Sequence, residues 1–492
     1  MSASTAGLTI GSAFLAAAAR VPSRVAIRFG GREITYAELA QQSGRVGAAL
    51  LESFACQAGD RVGIRLSNRP EFLIAILGVA RAGLVSVPIP FASTVREIEH
   101  FVGDSGLRLL ITEGQHDGPG AAVSMEELLS VSLSSVGDLA REDAPFFIGY
   151  TSGTTGRPKG AVVSHRARTL LALLHGQEYG CYAPGEVHLI TTPMYHGAGL
   201  SRALAPLLAG AQIELHERFD AERVLKSIAA GGVTATYMVP TMFSSIFEQP
   251  PALLELGSGK LRTILSNASA LPEHHKLRIL EQWPDVQLFE IYGSTEAGTV
   301  TSLRPEDQLR KQRCVGLPVS LTEIRIVNEN GMDAATGEVG QLYSRSPFQF
   351  AGYHDKPRAT AEVMLNGFVT SGDLAQRDAE AYVYIVGRVS DVIITGGVNV
   401  YPREVEEYLT ELPGIREAVV VGVPDERWGE AVHAFLVPQQ GMPVPSESAL
   451  LQHCRRGLAP AKIPKAFTFR ESLPRTASGK VVKRELTKAR EE

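Results

Sequence analysis

The sequence predicts an α/β protein of parallel sheets covered by helices, closed by a smaller α+β unit. Two observations predict it. Up to Val319, short β-favouring runs alternate with segments of helical period, the signature of parallel strands joined through helices. Beyond Val319, hairpin-like β pieces take over, and after Arg388 a short α+β stretch follows.

In order along the chain, Val62, Ile64 and Leu66 alternate as a strand, 71–81 has helical spacing, and 84–87 is a strand again. Further strands are expected at 107–112, 146–150, 187–192, 213–216, 233–239, 261–266 and 286–292. Helices are expected at 164–175, 220–230 and 272–283. The strand-rich part contributes 323–327, 340–344 and 382–386. The last segment contributes a helix over 402–412, strands at 418–423 and 432–437, and a helix over 448–457. These changes of character predict two domains, 1–389 and 390–492. No repeat or low-complexity tract interrupts them.

Composition narrows the function classes. With 44% hydrophobic and 21% charged residues over 492 positions, wholesale disorder and fibrous repeats are excluded. Lys and Arg number 48 against 53 Asp and Glu, a net charge of −5, so no basic field invites nucleic acid or an acidic membrane surface. The most apolar stretch, 72–91, contains Arg81, Gly83, Pro88 and Pro90, which argues against a spanning helix and integral membrane association. No basic residue precedes Arg20, as a secretory leader would require, so a cytoplasmic protein is expected. Cys56, Cys181, Cys314 and Cys454 are scattered without metal-site spacing and read as buried thiols.

The segment that carries chemistry is Tyr150-Thr-Ser-Gly-Thr-Thr-Gly-Arg-Pro-Lys-Gly160, which follows the 146–150 strand. Gly153, Gly156 and Gly160 permit close backbone approach, and Thr151, Ser152, Thr154 and Thr155 supply hydroxyls. Successive amides form an anion nest, and Lys159 adds a positive charge. A surface loop rich in turn formers is the plain alternative. A Walker loop is excluded, because Lys159 stands between Pro158 and Gly160 rather than in a Gly-Lys-Ser/Thr triplet.

This segment resembles the phosphate-binding signature of the acyl-adenylate-forming superfamily, which includes acyl-CoA synthetases, nonribosomal-peptide adenylation domains and firefly luciferase. The resemblance recurs in order through Thr35-Tyr-Ala-Glu-Leu39, Pro193-Met-Tyr-His196, Ile291-Tyr-Gly-Ser-Thr-Glu296 and Thr370-Ser-Gly-Asp373. It continues through Gly387-Arg-Val-Ser-Asp-Val-Ile-Ile-Thr-Gly-Gly397, Tyr401-Pro-Arg-Glu404 and Pro474-Arg-Thr-Ala-Ser-Gly-Lys480. It implies stacked sheets with a distorted β-barrel in 1–389, a small mobile α+β lid in 390–492, and a site between them.

Residue by residue, the resemblance implies that Glu296 ligates Mg²⁺, Thr295 donates to the α-phosphate, and Tyr292, next to Gly293, presents a ring near adenine. Asn267, Ala268 and Ser269 stand where the family has its small-residue adenine wall. Asp373 suits the ribose hydroxyls and Arg388 donates to the same sugar. Lys480 bridges the attacking carboxylate and the α-phosphate. In the acid pocket, His196 resembles the gate histidine of acyl-CoA synthetases, with Met194, Met238 and Phe243 lining or supporting the wall. Gly197-Ala-Gly199 follows His196 where amino-acid-activating relatives carry an aspartate, which argues against amino-acid substrates. No arginine stands out for a second carboxylate, so malonate-type acids are not the first expectation.

Gly396 and Gly397 fit the passage of pantetheine, with Trp428 and Lys465 as nucleotide contacts. Two features depart from the pattern. Ser390 replaces the usual hinge Asp or Lys, and an aromatic–basic pair of some aryl-CoA ligases falls on Ala461 and Ile463. The function expected is an ATP-dependent carboxylate–CoA ligase, acting through an acyl-adenylate with Mg²⁺, as a monomer or homodimer. Its alternatives are transfer to an amine or a carrier-protein thiol, and, more remotely, a nucleotide-binding regulator without turnover.

Overall fold

The computed structural model describes residues 7–114, 118–151, 158–257, 259–475 and 481–488. They fall into two units, one made of 1–324 with 344–371, the other of 325–343 with 372–492. This division differs from the one expected at 389. Asp373–Arg377 and Val383–Arg388 form one antiparallel pair, and helix Pro402–Thr410 packs on the latter strand, so both strands group with the second unit. The second unit also takes in 325–343, which 344–371 separates from the rest of it, and grouping across such an excursion leaves no local sequence mark.

In the first unit a nine-stranded sheet has a parallel centre. Ala235–Met238 lies between Val187–Ile190 and Thr263–Ser266, and Gln287–Ser294 runs parallel beside the latter. Gln287–Ser294 then pairs antiparallel with Gly298–Leu303. A seven-stranded sheet places Arg61–Arg65 between Val85–Pro88 and Leu109–Thr112, all parallel, with Pro145–Thr151 next to Val85–Pro88. Lys159–Ser164 returns antiparallel to Pro145–Thr151, so the two arms that flank the glycine-rich segment are a hairpin with Thr151 opposite Lys159. The mixed α/β class is as expected. Helix Pro70–Arg81 buries every residue except Glu71, as an all-round apolar helix between layers must.

Several helices were not anticipated, and most carry a local signal. Thr9, Thr35 and Thr94 each close a capping box, with Ser12, Glu38 and Glu97, at the starts of Ile10–Arg20, Tyr36–Glu52 and Val95–Ser105. The Thr35-Tyr-Ala-Glu motif is thus a helix start, in which the Glu38 carboxylate accepts from the Thr35 amide at 2.7 Å. Helix Gly197–Ala209 is hidden by two glycines and Pro206. Gly199 is needed there, because a Cβ would lie 2.2 Å from the Pro193 carbonyl oxygen.

In the second unit a sheet runs Val398–Val400, Ile393–Thr395, Gly429–Pro438, Ile415–Asp425, with Ala466–Phe469 also on Gly429–Pro438. Pro402–Thr410 and Glu447–Gly457 bury Val405, Leu409, Leu450 and Cys454 against it. The four cysteines are free and buried. Among the described residues no helix is long and apolar enough to cross a membrane.

Candidate active site

In the first unit, three elements converge on Thr295. Gly149 of Pro145–Thr151 and Gly197 at the start of its helix both lie against it: a Cβ on Gly149 would sit 3.2 Å from Thr295 Cγ2, and one on Gly197 3.4 Å from its Oγ1. The third is the antiparallel pair that presents Thr295 itself. Its arms close tightly, since a Cβ on Gly293 would lie 2.1 Å from the Gly298 carbonyl oxygen, and the register shifts between Tyr292 and Gly293.

Glu296 is buried beside Thr295. Its Oε1 accepts from Thr151 Oγ1 at 3.0 Å and from Tyr353 Oη at 2.9 Å, and its backbone oxygen accepts from the Phe350 amide at 2.8 Å. Lys159 Nζ sits over the Tyr353 ring, 5.4 Å from the centroid. The structure therefore brings Thr151, Lys159, Thr295 and Glu296 together. Burial, then the Glu296 charge and hydrogen bond, hold the Tyr353 phenol well above its usual range, so it remains a donor. Sequence reasoning missed Tyr353, which reaches Glu296 across 57 positions with no local motif. Ser152, Gly153, Thr154, Thr155 and Gly156 lie outside the described residues, as does Lys480. Beside Pro158 and Lys159 opens a cavity of about 440 Å³, also lined by Glu99, His100, Gly103, Asp104 and Lys356. Burial raises the Asp104 carboxyl, but hydrogen bonds from Lys356 and Tyr150 outweigh it and leave the group below its ordinary value.

Asn267, Ala268 and Ser269 follow strand Thr263–Ser266. Ala268 holds φ at +76°, uncommon for a residue with a Cβ, and Asn267 Oδ1 accepts from its amide. His196 immediately precedes helix Gly197–Ala209, without a side-chain cap on it, and packs its ring on Tyr195. Met194, Met238 and Phe243 are fully buried and fall in different cores: Met194 packs with Leu200 and Leu204, Met238 and Phe243 with Ile264 and Trp283. The described geometry gives these three a packing role.

In the second unit, Arg388 Nε donates to Asp373 Oδ1 at 3.1 Å, the two facing each other across the antiparallel pair. Ser390 Oγ donates to Asp391 Oδ1 in a short 3₁₀ turn, Val389–Asp391. Gly396, Trp428 and Lys465 come together. The Gly396 amide donates to the Trp428 carbonyl at 2.8 Å, a Cβ on Gly396 would lie 2.8 Å from the indole, and Lys465 Nζ stands 5.6 Å from the ring centroid. Gly397 follows with φ +79°.

A magnesium ion carried by a nucleotide takes one or two carboxylates and completes its shell with phosphate and water. Glu296 fits that role: a single carboxylate, 8% exposed, whose described side-chain hydrogen bonds both fall on Oε1. Among the described residues no group of three or more His, Cys, Asp or Glu forms a protein-only cage.

A family model described as AMP-binding enzyme matches residues 14–354, and one described as AMP-binding enzyme C-terminal domain matches 404–480. The chain belongs to this family of acyl-adenylate-forming enzymes, and has its two-domain fold with a small C-terminal domain. Within it, the chain is 35% identical over 477 residues to a feruloyl-CoA synthase of Amycolatopsis sp, covering 94% of this chain and 96% of that one. It is similar to the o-succinylbenzoate CoA synthetase of Bacillus subtilis solved with its acyl-adenylate intermediate, at TM-score 0.87, 30% identity and 96% and 97% coverage of the two chains. The amide bond synthetase McbA of Marinactinospora thermotolerans superimposes at TM-score 0.90 with 25% identity, covering 98% of this chain and 99% of that one.

Proposed function

We propose that this protein is an ATP-dependent, AMP-forming carboxylate–CoA ligase. The arrangement that carries the reading is the Glu296 corner, a buried carboxylate held on one oxygen by Thr151 and Tyr353 beside Thr295. Mg²⁺ held by Glu296 supplies charge neutralisation on the triphosphate. Lys159 adds a cation to the same phosphates, and Thr295 donates to the α-phosphate. Tyr292 and the Asn267–Ala268–Ser269 segment flank adenine, and Asp373 and Arg388 hold the ribose. The acid's carboxylate oxygen bonds to the α-phosphorus as the bond to pyrophosphate breaks, with Lys480 stabilising the charge that develops. The CoA sulfur then bonds to the acyl carbon and AMP leaves. Gly396 and Gly397 admit pantetheine, and the partly exposed Trp428 indole with Lys465 suits the nucleotide end. Ser390 serves as the hinge, and the enzyme works in the cytoplasm.

The named substrates of the relatives above include aryl acids, so aryl acids head the test panel. Pyrophosphate release is measured with ATP, Mg²⁺ and each acid, and products are identified by mass spectrometry after adding CoA or amines. Acyl-CoA is the expected product. A second reading, transfer to an amine, is favoured by the likeness to the amide bond synthetase and by Ala461 and Ile463; amide alone in the presence of CoA would establish it. No pyrophosphate with any acid would leave only a nucleotide-binding regulator.

A further inference from the structure

Helix Gly197–Ala209 carries Ala198, Arg202, Ala205 and Ala209 along one face. The alanines pack with Tyr237, Leu265, Phe289 and Ile291 of the parallel sheet. Arg202 is 3% exposed. Its guanidinium lies 5.2 Å from the Tyr179 ring centroid and 5.6 Å from that of Tyr237, and Nη1 donates a long bond of 3.4 Å to Tyr182 Oη. Among the described residues no carboxylate pairs with it; Glu178, beside Tyr179 in sequence, is held by Arg304 and Ser320. Arg168, on helix His165–Tyr179, is 5% exposed over the Phe147 ring, with Nε lacking a hydrogen-bond partner.

A guanidinium carries five donors and keeps its charge, and the bond described for Arg202, to a phenol oxygen, answers one of them, so its burial is costly beyond what ring contacts return. Around Arg202, Ser201 Oγ and His175 Nδ1 are also buried without hydrogen-bond partners. Burial, then the charges of Arg202 and Arg168, hold His175 well below its usual range, so it adds a neutral ring. The cluster holds two guanidiniums and, among the described residues, no carboxylate paired with either.

Its depth is set by the two elements that lead to Thr295. Gly197 abuts Thr295, and Arg202 follows five residues on, ~7.5 Å along the helix axis. Phe289, whose ring centroid is 5.2 Å from that of Tyr179, lies on the strand Gln287–Ser294 that runs directly into Thr295. Arg202 is also the single charged side chain between Glu186 and Glu214, the signal in the sequence that could have found it.

We propose that Arg202 determines which acid is activated, by binding an anionic or hydrogen-bond-accepting oxygen at the far end of the substrate, roughly 7–8 Å deeper along the helix axis than Gly197. The proposal rests on the ligase reading above and revises the expectation that no arginine is placed for a second carboxylate.

Three acids on one rigid scaffold test it: trans-cinnamate, 4-hydroxycinnamate and 4-carboxycinnamate, with the wild type, R202M and R202K. In the wild type, kcat/KM for pyrophosphate release is expected to favour at least one para-substituted acid over cinnamate by about 10- to 100-fold, as for a hydrogen bond to a charged group. The hydroxy and carboxy arms separate a neutral acceptor from an anion. R202M erases the preference and leaves cinnamate unchanged or improved; R202K keeps part of it for the carboxy acid. Equal ratios in wild type and R202M, or equal loss on all three acids, would overturn the proposal, because a merely structural arginine moves all acids alike. Calorimetric binding of the same acids with AMP present reads the ratios without turnover. Failure of pyrophosphate release alone therefore counts against the ligase reading, whereas equal or undetectable binding of all three acids counts against Arg202.

Discussion

Glu296 has two donors on Oε1 and sits almost out of water, so its charge is already positioned for a cation. Glu296→Gln keeps the hydrogen-bonding oxygen but removes the charge. Pyrophosphate release at low Mg²⁺ is expected to fall about 10²-fold, the scale of a lost electrostatic stabiliser, with partial recovery at high Mg²⁺; an unchanged rate would remove the cation role. A second residue-scale expectation concerns His165. It is fully buried, its Nδ1 accepts from the Ile10 amide at 3.4 Å, and burial pushes its pKa down from 6.5 to about 4. Below pH 6.5 the unfolded chain takes up a proton that the folded chain refuses until about pH 4. Stability therefore falls as pH drops through that window, by roughly 3 kcal/mol when complete. His188 and His275, also pushed down to about 4, act in the same direction. Melting temperature should be level above pH 7 and decline below 6.5, and His165→Asn should flatten part of that slope. A slope identical to wild type would assign the effect elsewhere.

At the scale of elements, the site depends on how closely backbones approach. The strands Gln287–Ser294 and Gly298–Leu303 can present Thr295 and Glu296 only because Gly293 has no Cβ to meet the Gly298 carbonyl. Gly293→Ala forces the arms apart, at a cost of about 1–3 kcal/mol for overpacking. Catalysis should fall further than stability, since Glu296 moves away from Thr151 and Tyr353. Denaturant melts compared with pyrophosphate release check it, and a folded variant with wild-type activity would refute the constraint. Element identity was legible where residue type marks the run, as in Pro70–Arg81, an apolar run opened by a proline in its first turn, or in the β-branched strand at Glu323–Val327. It was illegible at Gly197–Ala209, where the glycines that permit close packing also erase the helical signal.

At the scale of the whole molecule, the carried-over chemistry is spread over both units. Thr151, Lys159, Thr295 and Glu296 belong to the first, Asp373, Arg388 and the Gly396–Trp428–Lys465 group to the second. If Lys480 serves adenylation alone, Lys480→Ala slows acyl-adenylate formation by about 10²–10³-fold. The same variant should convert supplied acyl-AMP and CoA to thioester at nearly the normal rate. Timing the two half-reactions separately decides it: equal losses would make Lys480 a general structural support.

The sequence by itself determined the α/β class, roughly half of the strands in each unit and the family. These depend on local periodicity and on residues that must be contiguous to cradle a phosphate. Only the tertiary structure decided that Tyr353 shares the Glu296 oxygen with Thr151, that Met194 packs in one core and Met238 and Phe243 in another, and that Arg202 lies buried among tyrosines with no acid paired to it among the described residues. Such relations join positions far apart in the chain. They follow from which faces the sheets and helices bury against one another, information that no single stretch of sequence contains.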